Sequence, residues 1–397
     1  MRLSTQGFYT GSLAAMQLQS AALAKLQNQV ATGLKINSPA DDPIAAVHII
    51  ELERAQNESA QFAKNSTLVQ NRLNLEEDAL ASAATTLMRV RELIVRASNI
   101  GTLADADRRP SATELASRKA ELQDLANRQD GNGEYLFAGF STQTKPFTGS
   151  TGTVAYAGDQ GSRLIQVSPT QRVADSHSGF DVFMNIPEGN GMFATAATST
   201  NAGSASINVG TIVDRGAWVP GAYTVTFTTP TTWEITPSTP PATGTYVSGS
   251  PIDINGARIE ITGEPAAGDT FTIRQSGAES IFDTLDGIIG VLNQPAGSPA
   301  QNAQLKTVLE SSLQQMDQAA DHFLSIRAQV GARLSMLEAA DDARASRDLD
   351  VASSLSELRD LDYAQAITKM NQRLVGLQAA QMSYMQISQL SLFNYMK

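Results

Sequence analysis

The sequence predicts an α+β protein of several domains, in which long antiparallel helices from both halves of the chain form a bundle or coiled coil that carries an inserted all-β domain. Three observations support this fold class. Prolines occur at positions 39, 43 and 110, then frequently from 146 to 299, and never afterwards. Heptad patterns of apolar residues occupy proline-free stretches on both sides. Between them, Thr, Ser, Gly and Pro dominate residues 191–275.

Both ends of the chain carry an apolar stripe at helical spacing, within predicted helices at residues 12–32 and 362–397. The stripe residues are Leu13, Met16, Leu23, Leu26 and Val30 at one end, and Ile367, Met370, Leu374, Leu377, Tyr384, Ile387 and Leu390 at the other. Steps of mostly three, four and seven residues place each set on one helix face. Nothing adjacent in sequence covers either stripe, so the two are predicted to meet. Glutamine rather than charge flanks both, which favours burial in an assembly over a simple intramolecular pair.

A corner between two helices follows the first stripe. A glycine is typical of a helix C terminus, a proline prevents continuation, and an aspartate before a second proline is a helix N-cap. The corner residues are Gly33, Asn37, Pro39, Asp41, Asp42 and Pro43. A second helix is expected over residues 44–99, where neither proline nor glycine occurs.

Two heptad patterns predict that the helical halves pack against each other. The first comprises Val69, Leu73, Glu76, Leu80, Ala83, Leu87, Val90, Ile94 and Ala97, broken only by the glutamate. The second comprises Leu313, Met316, Ala320, Phe323, Val330, Leu334 and Leu337, with Arg327 as its interruption, and Val351, Leu355 and Leu358 extend it. The acid pair Glu76-Glu77 is expected on a solvated helix face.

Shorter elements are predicted between these halves. A capping box at Ser111–Glu114 indicates a third helix over residues 111–131, and another helix is expected over residues 280–292. The run Phe180–Phe183 is interpreted as a strand. Alternation over Tyr223–Phe227 and at Phe271 and Ile273 predicts half-buried strands.

The strongest local signal in the β region is a hairpin. Asn255-Gly256 predicts a type I′ turn, because both central residues of that turn require positive φ. A two-residue loop there would pair Ile252 with Ile259, and Asp253 with Arg258 as an opposite-charge cross-strand pair.

Composition and motifs argue against catalysis and against several partner classes. The net charge of −11 disfavours a nucleic-acid partner held by phosphate contacts. The absence of cysteine excludes thiol chemistry, and His48, His177 and His322 lack a second ligand at helical spacing. Standard catalytic, nucleotide and metal motifs are missing, so we expect no enzyme activity, cofactor or metal. No apolar run has the length of a membrane span or of a cleaved signal peptide.

Several motifs resemble those of one family. Residues 31–43 (ATGLKINSPADDP) are similar to the corner between the first two helices of bacterial flagellins and their relatives. The segment Arg89–Leu93 resembles a helix segment of the same superfamily. The paired prolines of the corner, Gly133–Gly139 followed by Pro146-Phe147, and the C-terminal Leu390–Met396 resemble the hook-filament junction branch of that superfamily. The resemblance covers about the first 190 and last 120 residues, and the central β block is only generically similar.

The resemblance implies a flagellin-like architecture and a structural role. Its terminal helices, residues 1–42 and 362–397, would form an inner tube. Because folding these helices alone would leave their apolar stripes facing water, we predict that they are disordered in the isolated subunit. Residues 43–190 and 276–361 would form the helical core domain, and residues 191–275 the outer β domain. The C-terminal motif adds Leu392 and Phe393 to the stripe residues as part of the predicted assembly and chaperone interface. The expected location is the extracellular flagellum, reached by type III export without a cleaved signal peptide.

The implied partners are further copies of the chain, the neighbouring hook-associated junction protein, flagellin, and an export chaperone that engages the C-terminal helix. Nucleic acid and membrane insertion are not expected. Two alternatives stay open at this point: a flagellin-type subunit that polymerises into filaments, and a secreted adhesin whose β domain binds a ligand. Recognition of Arg89–Leu93 by an innate immune receptor is a further hypothesis.

Overall fold

A computed structural model describes residues 5–98, 105–149, 152–237, 242–295 and 297–393. The helices in these ranges are α1 (Thr5–Thr32), α2 (Pro43–Ser98), α3 (Asp105–Ala126), α4 (Ile281–Asn293), α5 (Pro299–Arg359) and α6 (Tyr363–Phe393). A π-helical turn spans Phe180–Met184. Two compact units divide the chain: unit 1 comprises residues 1–64 and 339–397, and unit 2 comprises residues 65–338.

The strands of the described residues all lie between α3 and α4. They are β1 (Phe147–Thr148), β2 (Ala155–Tyr156), β3 (Leu164–Gln166), β4 (Arg172–Ala174), β5 (Ile186–Pro187), β6 (Phe193–Ala197), β7 (Ser206–Ile207), β8 (Thr211–Ile212), β9 (Ala222–Thr229), β10 (Thr232–Thr236), β11 (Ala242–Thr245), β12 (Pro251–Ile254), β13 (Ala257–Thr262), β14 (Thr270–Gln275) and β15 (Ala278–Glu279). The sequence therefore has the predicted order of helices, strands and helices.

The helical core of unit 2 is built on the predicted heptad positions. Every heptad residue of α2 from Val69 to Ala97 is at most 4% exposed, because the 3-4 spacing keeps them on one face. On α5, Met316, Phe323, Val330 and Leu337 are equally buried. The apolar residues of both sets belong to a single core that also contains residues of α3, of α4 and of the segment between α3 and β5. The predicted packing of the two helical halves is confirmed within this unit.

The two polar residues that interrupt the heptads behave differently. Glu76 is fully buried, so the expectation that the Glu76-Glu77 pair faces solvent is wrong for Glu76. Burial is tolerated because Glu76 Oε1 lies 2.7 Å from His177 Nδ1. Arg327 is only half-buried, and its Nη2 donates to Glu77 Oε1 at 2.5 Å. Each interruption thus makes a polar contact that an apolar residue could not make.

The β region has a second apolar core of its own. Five antiparallel strands follow the order β11-β10-β9-β14-β6, and a smaller sheet follows the order β12-β13-β7, with β8 also paired to β13. Tyr223, Val225 and Phe227 of β9 and Phe271 and Ile273 of β14 are buried, which confirms the predicted alternation. The inward faces of both sheets contribute to this core.

The predicted hairpin is confirmed in register and in detail. Asn255 and Gly256 have φ values of 47° and 86°, as a type I′ turn requires. Ile252 pairs with Ile259 and Asp253 with Arg258. Arg258 Nε donates to Asp253 Oδ1 at 2.6 Å, and this partner lowers the pKa of Asp253 below its usual value.

Three local predictions are wrong. Helix α3 extends from Asp105 through Pro110, so Ser111 lies inside the helix and does not cap it. A proline at this point removes only the hydrogen bond to the carbonyl four residues earlier, near the start of the helix. Phe180–Phe183 forms the π-helical turn and not a strand, because a short apolar run does not distinguish the two. Helix α1 also begins earlier than expected, at Thr5.

Candidate assembly interface

Helices α1 and α6 of unit 1 form an antiparallel pair. The rings of Tyr9 and Tyr384 meet edge to face, with centroids 5.7 Å apart. Further along, Arg373 Nη1 donates to Gln19 Oε1 at 2.8 Å. Where α1 ends, the Leu361 backbone nitrogen donates to the Gly33 carbonyl at 2.9 Å. These contacts run in opposite order along the two helices, so α1 and α6 lie side by side and antiparallel.

None of the predicted stripe residues whose side chains are described is fully buried by this pairing. Leu13, Ile367 and Leu374 are 50%, 43% and 38% exposed. The half-buried members are Met16, Leu23, Leu26, Val30, Met370, Leu377 and Tyr384. Ile387, Leu390, Leu392 and Phe393 lie on the α6 backbone, but their side chains are outside the described residues, as are Asn394–Met396 entirely. The pair covers its stripes only in part.

A second set of apolar side chains on the pair faces outward and was not singled out from the sequence. Leu18 is 73% exposed, Val375 62%, Met382 61% and Met385 56%. Val375 and Met382 are seven residues apart, so they lie on one face of the helix. This heptad interval is visible in the sequence beside the stripe. Helix α6 is therefore apolar toward α1 and also on the side away from α1.

The corner at the end of α1 is held by an aspartate. Asp41 Oδ2 accepts hydrogen bonds from the backbone nitrogens of Asn37 and Ser38, at 3.1 and 3.0 Å. Its Oδ1 lies 2.8 Å from Lys25 Nζ. The Lys25 contact, followed by the two backbone donors, lowers the pKa of Asp41. Asp41 thereby links the corner back to α1.

Asp42 and Pro43 begin α2. The Asp42 Oδ1 atom accepts from the backbone nitrogens of Ile44 and Ala45, at 3.2 and 3.1 Å, which is N-cap geometry. Pro43 is the first helical residue, where its missing N–H costs no hydrogen bond. Pro39 lies exposed in the loop before this cap.

Gly33 joins the corner to the start of α6. It has φ of +72°, and a Cβ at this position would lie 2.8 Å from the Tyr363 hydroxyl. The following residue, Leu34, forms a short antiparallel bridge with Asp360. Lys35 donates its backbone N–H to the Arg359 carbonyl at 2.7 Å. The two chain halves therefore make main-chain hydrogen bonds at the corner.

The described histidines make ordinary structural contacts. Among the described residues, no group of three or more His, Asp or Glu side chains could hold a metal ion. His48 is exposed beside Glu51, and His322 Nε2 lies 2.7 Å from the Asp181 carbonyl. No helix in the described ranges is long and apolar enough to cross a membrane.

Comparison with known proteins gives the family. Residues 3–142 match the model of the bacterial flagellin N-terminal helical region. The crystal structure of Xanthomonas campestris FlgL is 37% identical with a TM-score of 0.72, and the match covers 77% of this chain and 99% of that one. The chain belongs to the flagellar hook-associated protein 3 (FlgL) family.

Other relatives agree with this family. The crystal structure of hook-associated protein 3 from Legionella pneumophila is 33% identical with a TM-score of 0.73, covering 78% of this chain and 98% of that one. Flagellar hook-associated protein 3 of Salmonella typhimurium is 27% identical over 394 residues, 99% of both chains. Flagellin of Bacillus subtilis is 28% identical over 179 residues, which are 44% of this chain and 59% of that one.

Proposed function

We propose that this chain is a structural adaptor of the bacterial flagellum. It joins the hook, through the neighbouring hook-associated junction protein, to the flagellin filament. It acts by binding and not by catalysis. Family membership and the incompletely covered terminal helices support this proposal.

The observation that carries the proposal is the apolar outer face of α6. Val375, Met382 and Met385 are more than half exposed although α6 already packs on α1. Burying apolar surface is worth roughly 25 cal/mol per Å², so a helix pair of this kind gains stability from a further partner. Copies of the chain and the adjoining flagellar proteins are the partners that would supply this cover, in an inner tube formed by the terminal helices.

We propose that the chain leaves the cell unfolded through the flagellar type III apparatus. An export chaperone would bind the chain before export. The chaperone would bind residues 362–397, since an amphipathic helix with an apolar face suits a helix-binding groove. Removing residues 362–397 should abolish binding to the chaperone, measured by calorimetry with purified proteins. Removing residues 1–32 is the matched control and should leave that affinity unchanged. Equal affinity of the full chain and the C-terminal truncation would contradict the chaperone site.

Electron microscopy of a deletion strain tests the adaptor function. Cells of the source bacterium that lack this chain should export flagellin into the medium but carry hooks without filaments. Restoring the full-length gene should restore filaments. A deletion strain with normal filaments would contradict the proposal.

The alternative with independent support is a flagellin-type subunit, because flagellins match the chain over part of its length. Such a subunit would polymerise alone into long filaments. A deletion strain would then export no other filament protein, and purified chain would form filaments in solution. The two hypotheses therefore differ in the protein found in the culture medium.

A further inference from the structure

The β region, from β6 to β14, is joined to the helical part of unit 2 through one pair of short strands. The chain enters the β region after β5 and leaves it before β15, and these two strands pair, with Ile186 opposite Glu279 and Pro187 opposite Ala278. We call this strand pair the neck. The helices and the β region have separate apolar cores. Two bodies with separate cores move relative to each other unless a large apolar interface prevents it, so the neck lies where a hinge is expected.

Polar contacts hold the neck in place from both sides. Gln315 of α5 binds it from the helical side: its Oε1 accepts the Gly189 backbone N–H at 3.0 Å, and its Nε2 donates to the Pro187 carbonyl at 3.2 Å. From the β region, the Arg274 guanidinium forms an ion pair with the Glu188 carboxylate. The net contribution of each such contact to stability is small, so the appearance of one new charge at the neck can compete with them.

A cavity of about 190 Å³ lies behind the neck, between β6, α4 and α5. Its lining includes three carboxyl groups and two polar side chains of α5, namely Glu188, Glu279, Asp283, Ser312 and Gln315. A water molecule takes about 30 Å³ of liquid volume and needs polar partners, so a cavity of this size and polarity has room for several. The carboxyl group of Glu279 therefore borders a space that can take up water.

Glu279 faces more negative than positive charge. The carboxylates of Glu188 and Asp283 lie near it, and Arg274, the cation beside it, is already paired with Glu188. Further charged groups on α3, α4 and α5 pair with one another: Asp286 with Lys119 at 2.6 Å, and Lys306 with Glu310 at 3.8 Å. The cavity-lining residues of β6 and α5 are uncharged. Burial, followed by the Glu188 carboxylate, raises the pKa of Glu279 to about 7, so its charge changes near neutral pH.

We propose that the neck is a pH-dependent hinge: while Glu279 is neutral, β5 and β15 stay paired, and its ionisation beside Glu188 and Asp283 separates the two strands and frees the β region to move. A neutral carboxyl is tolerated in this partly buried position, whereas a charged one needs water and distance from the other carboxylates. Opening the neck supplies both. This inference concerns the position of the β region and does not depend on the proposed function.

The direction of the pH effect follows from the raised pKa of Glu279. A carboxyl whose pKa in the closed neck lies above its ordinary value of 4.5 favours the closed neck at low pH, and this contribution is lost as the pH rises through about 7. The ionised fraction of Glu279 in the closed neck rises from about one tenth at pH 6 to about nine tenths at pH 8. The neck is thus closed in acidic medium and open in mildly alkaline medium.

Tryptophan fluorescence measures this movement, because both tryptophans of the chain, Trp218 and Trp233, lie in the β region. Time-resolved anisotropy of the purified full-length chain would be recorded between pH 5.5 and pH 8.5. With the neck closed, the β region rotates together with the helices, and with the neck open a faster rotational component appears. The amplitude of that component should increase several-fold from pH 6 to pH 8, with a midpoint near pH 7.

Glu279→Gln should keep the neck closed throughout this pH range, because an amide stays neutral. Its anisotropy decay at pH 8 should match that of the native chain at pH 6. Glu264→Gln, at an exposed carboxyl of the β region, is the matched control and should retain the pH dependence of the native chain. Circular dichroism would verify that both variants are folded.

A disulfide across the neck provides a second measurement that leaves Glu279 in place. Pro187 and Ala278 are exposed and lie directly opposite each other, and the chain contains no cysteine. Directly opposed residues of antiparallel strands have Cα atoms about 4.5–5.5 Å apart, which a disulfide can span. Pro187→Cys combined with Ala278→Cys should therefore abolish the fast component at pH 8 when oxidised, and a reducing agent should restore it.

Three results would overturn the hinge. They are a native chain whose anisotropy decay does not change between pH 6 and pH 8, a Glu279→Gln chain that keeps the full change, and an oxidised double-cysteine chain that still shows the fast component at pH 8. All three are measured on the isolated chain, so the adaptor function is tested separately by the deletion strain.

Discussion

Glu76 Oε1 lies 2.7 Å from His177 Nδ1, and the same oxygen accepts the His177 backbone N–H at 3.2 Å, across 101 residues of sequence. Both residues are buried, and His177 Nε2 lies 3.3 Å from Gln329 Oε1 on α5. The single polar break in the α2 heptad therefore ties a loop of unit 2 to its two long helices. This contact, and not solvation, is the reason that a glutamate occupies a core position.

Replacing Glu76 should destabilise unit 2 more than replacing its neighbour Glu77. Glu76→Ala leaves the buried His177 ring and backbone N–H without an acceptor, which costs about 1–3 kcal/mol, in addition to the lost packing. Glu77→Ala breaks a half-exposed ion pair with Arg327, worth about 0–1 kcal/mol. Urea unfolding of the full chain, followed by circular dichroism, measures both free energies. Equal losses for the two variants would contradict the structural role of Glu76.

Local periodicity made the long helices and the β hairpin predictable. The heptads of α2 and α5 and the alternation in β9 depend on neighbours three, four or two residues away, so the pattern is in the sequence itself. The same limit explains the error at Glu76, whose partner His177 is distant in sequence. Arg72 is a similar case: it is 2% exposed, and its Nη1 donates to Asp130 at 2.5 Å, 58 residues away. No local pattern identifies such pairs.

The candidate interface was only partly predictable for a comparable reason. Spacing identified the stripe residues and the corner, because both are local features. Val375 and Met382 share a heptad interval that is visible in the sequence, but only the position of α1 against α6 shows that these side chains and Leu18 remain uncovered. The role of Asp41 as a link to Lys25 likewise depends on how the chain turns back on itself.

The stability of unit 2 should fall as the pH rises toward neutral, because of Glu279. Burial raises the pKa of this carboxyl to about 7, with Glu188 and Asp283 nearby adding to the shift and Arg274 opposing it. A carboxyl whose folded pKa lies above its unfolded value of 4.5 stabilises the fold below that value, and the contribution is lost as the pH rises through 7. Glu279→Gln should remove this pH dependence and raise the Tm at pH 8 by a few degrees.

Scanning calorimetry at pH 5 and pH 8 measures the effect of Glu279. The control is Glu264→Gln, an exposed carboxyl in the loop after β13, which should leave the difference between the two pH values unchanged. A Glu279→Gln protein that retains the full pH dependence would show that another group is responsible.

Proteolysis of the isolated full-length chain should trim both ends before it cuts unit 2. The large apolar side chains of α1 and α6 that the structure describes are all at least partly exposed, so opening these helices costs less free energy than opening α2 from Val69 to Ala97. Cleavage should stop near the corner at Asn37–Pro43 and near Asp362. Mass spectrometry of the limit fragments measures this, and resistance at both ends would contradict it. Incorporation into the assembled flagellum should protect the same sites.

Gly33→Ala should destabilise the packing of α1 against α6, because the corner requires a glycine at position 33 for two separate reasons. Its φ of +72° is unfavourable for alanine by about 1–2 kcal/mol, and the new Cβ would lie 2.8 Å from the Tyr363 hydroxyl. The rate of proteolysis within α1 and α6 should therefore rise. Gly11→Ala is the matched control: a Cβ there meets no atom within 4 Å in the described part of the chain, and alanine favours a helix interior by up to about 1 kcal/mol. Gly11→Ala should slow proteolysis or leave it unchanged, so equal acceleration by both substitutions would rule out a special role for the corner.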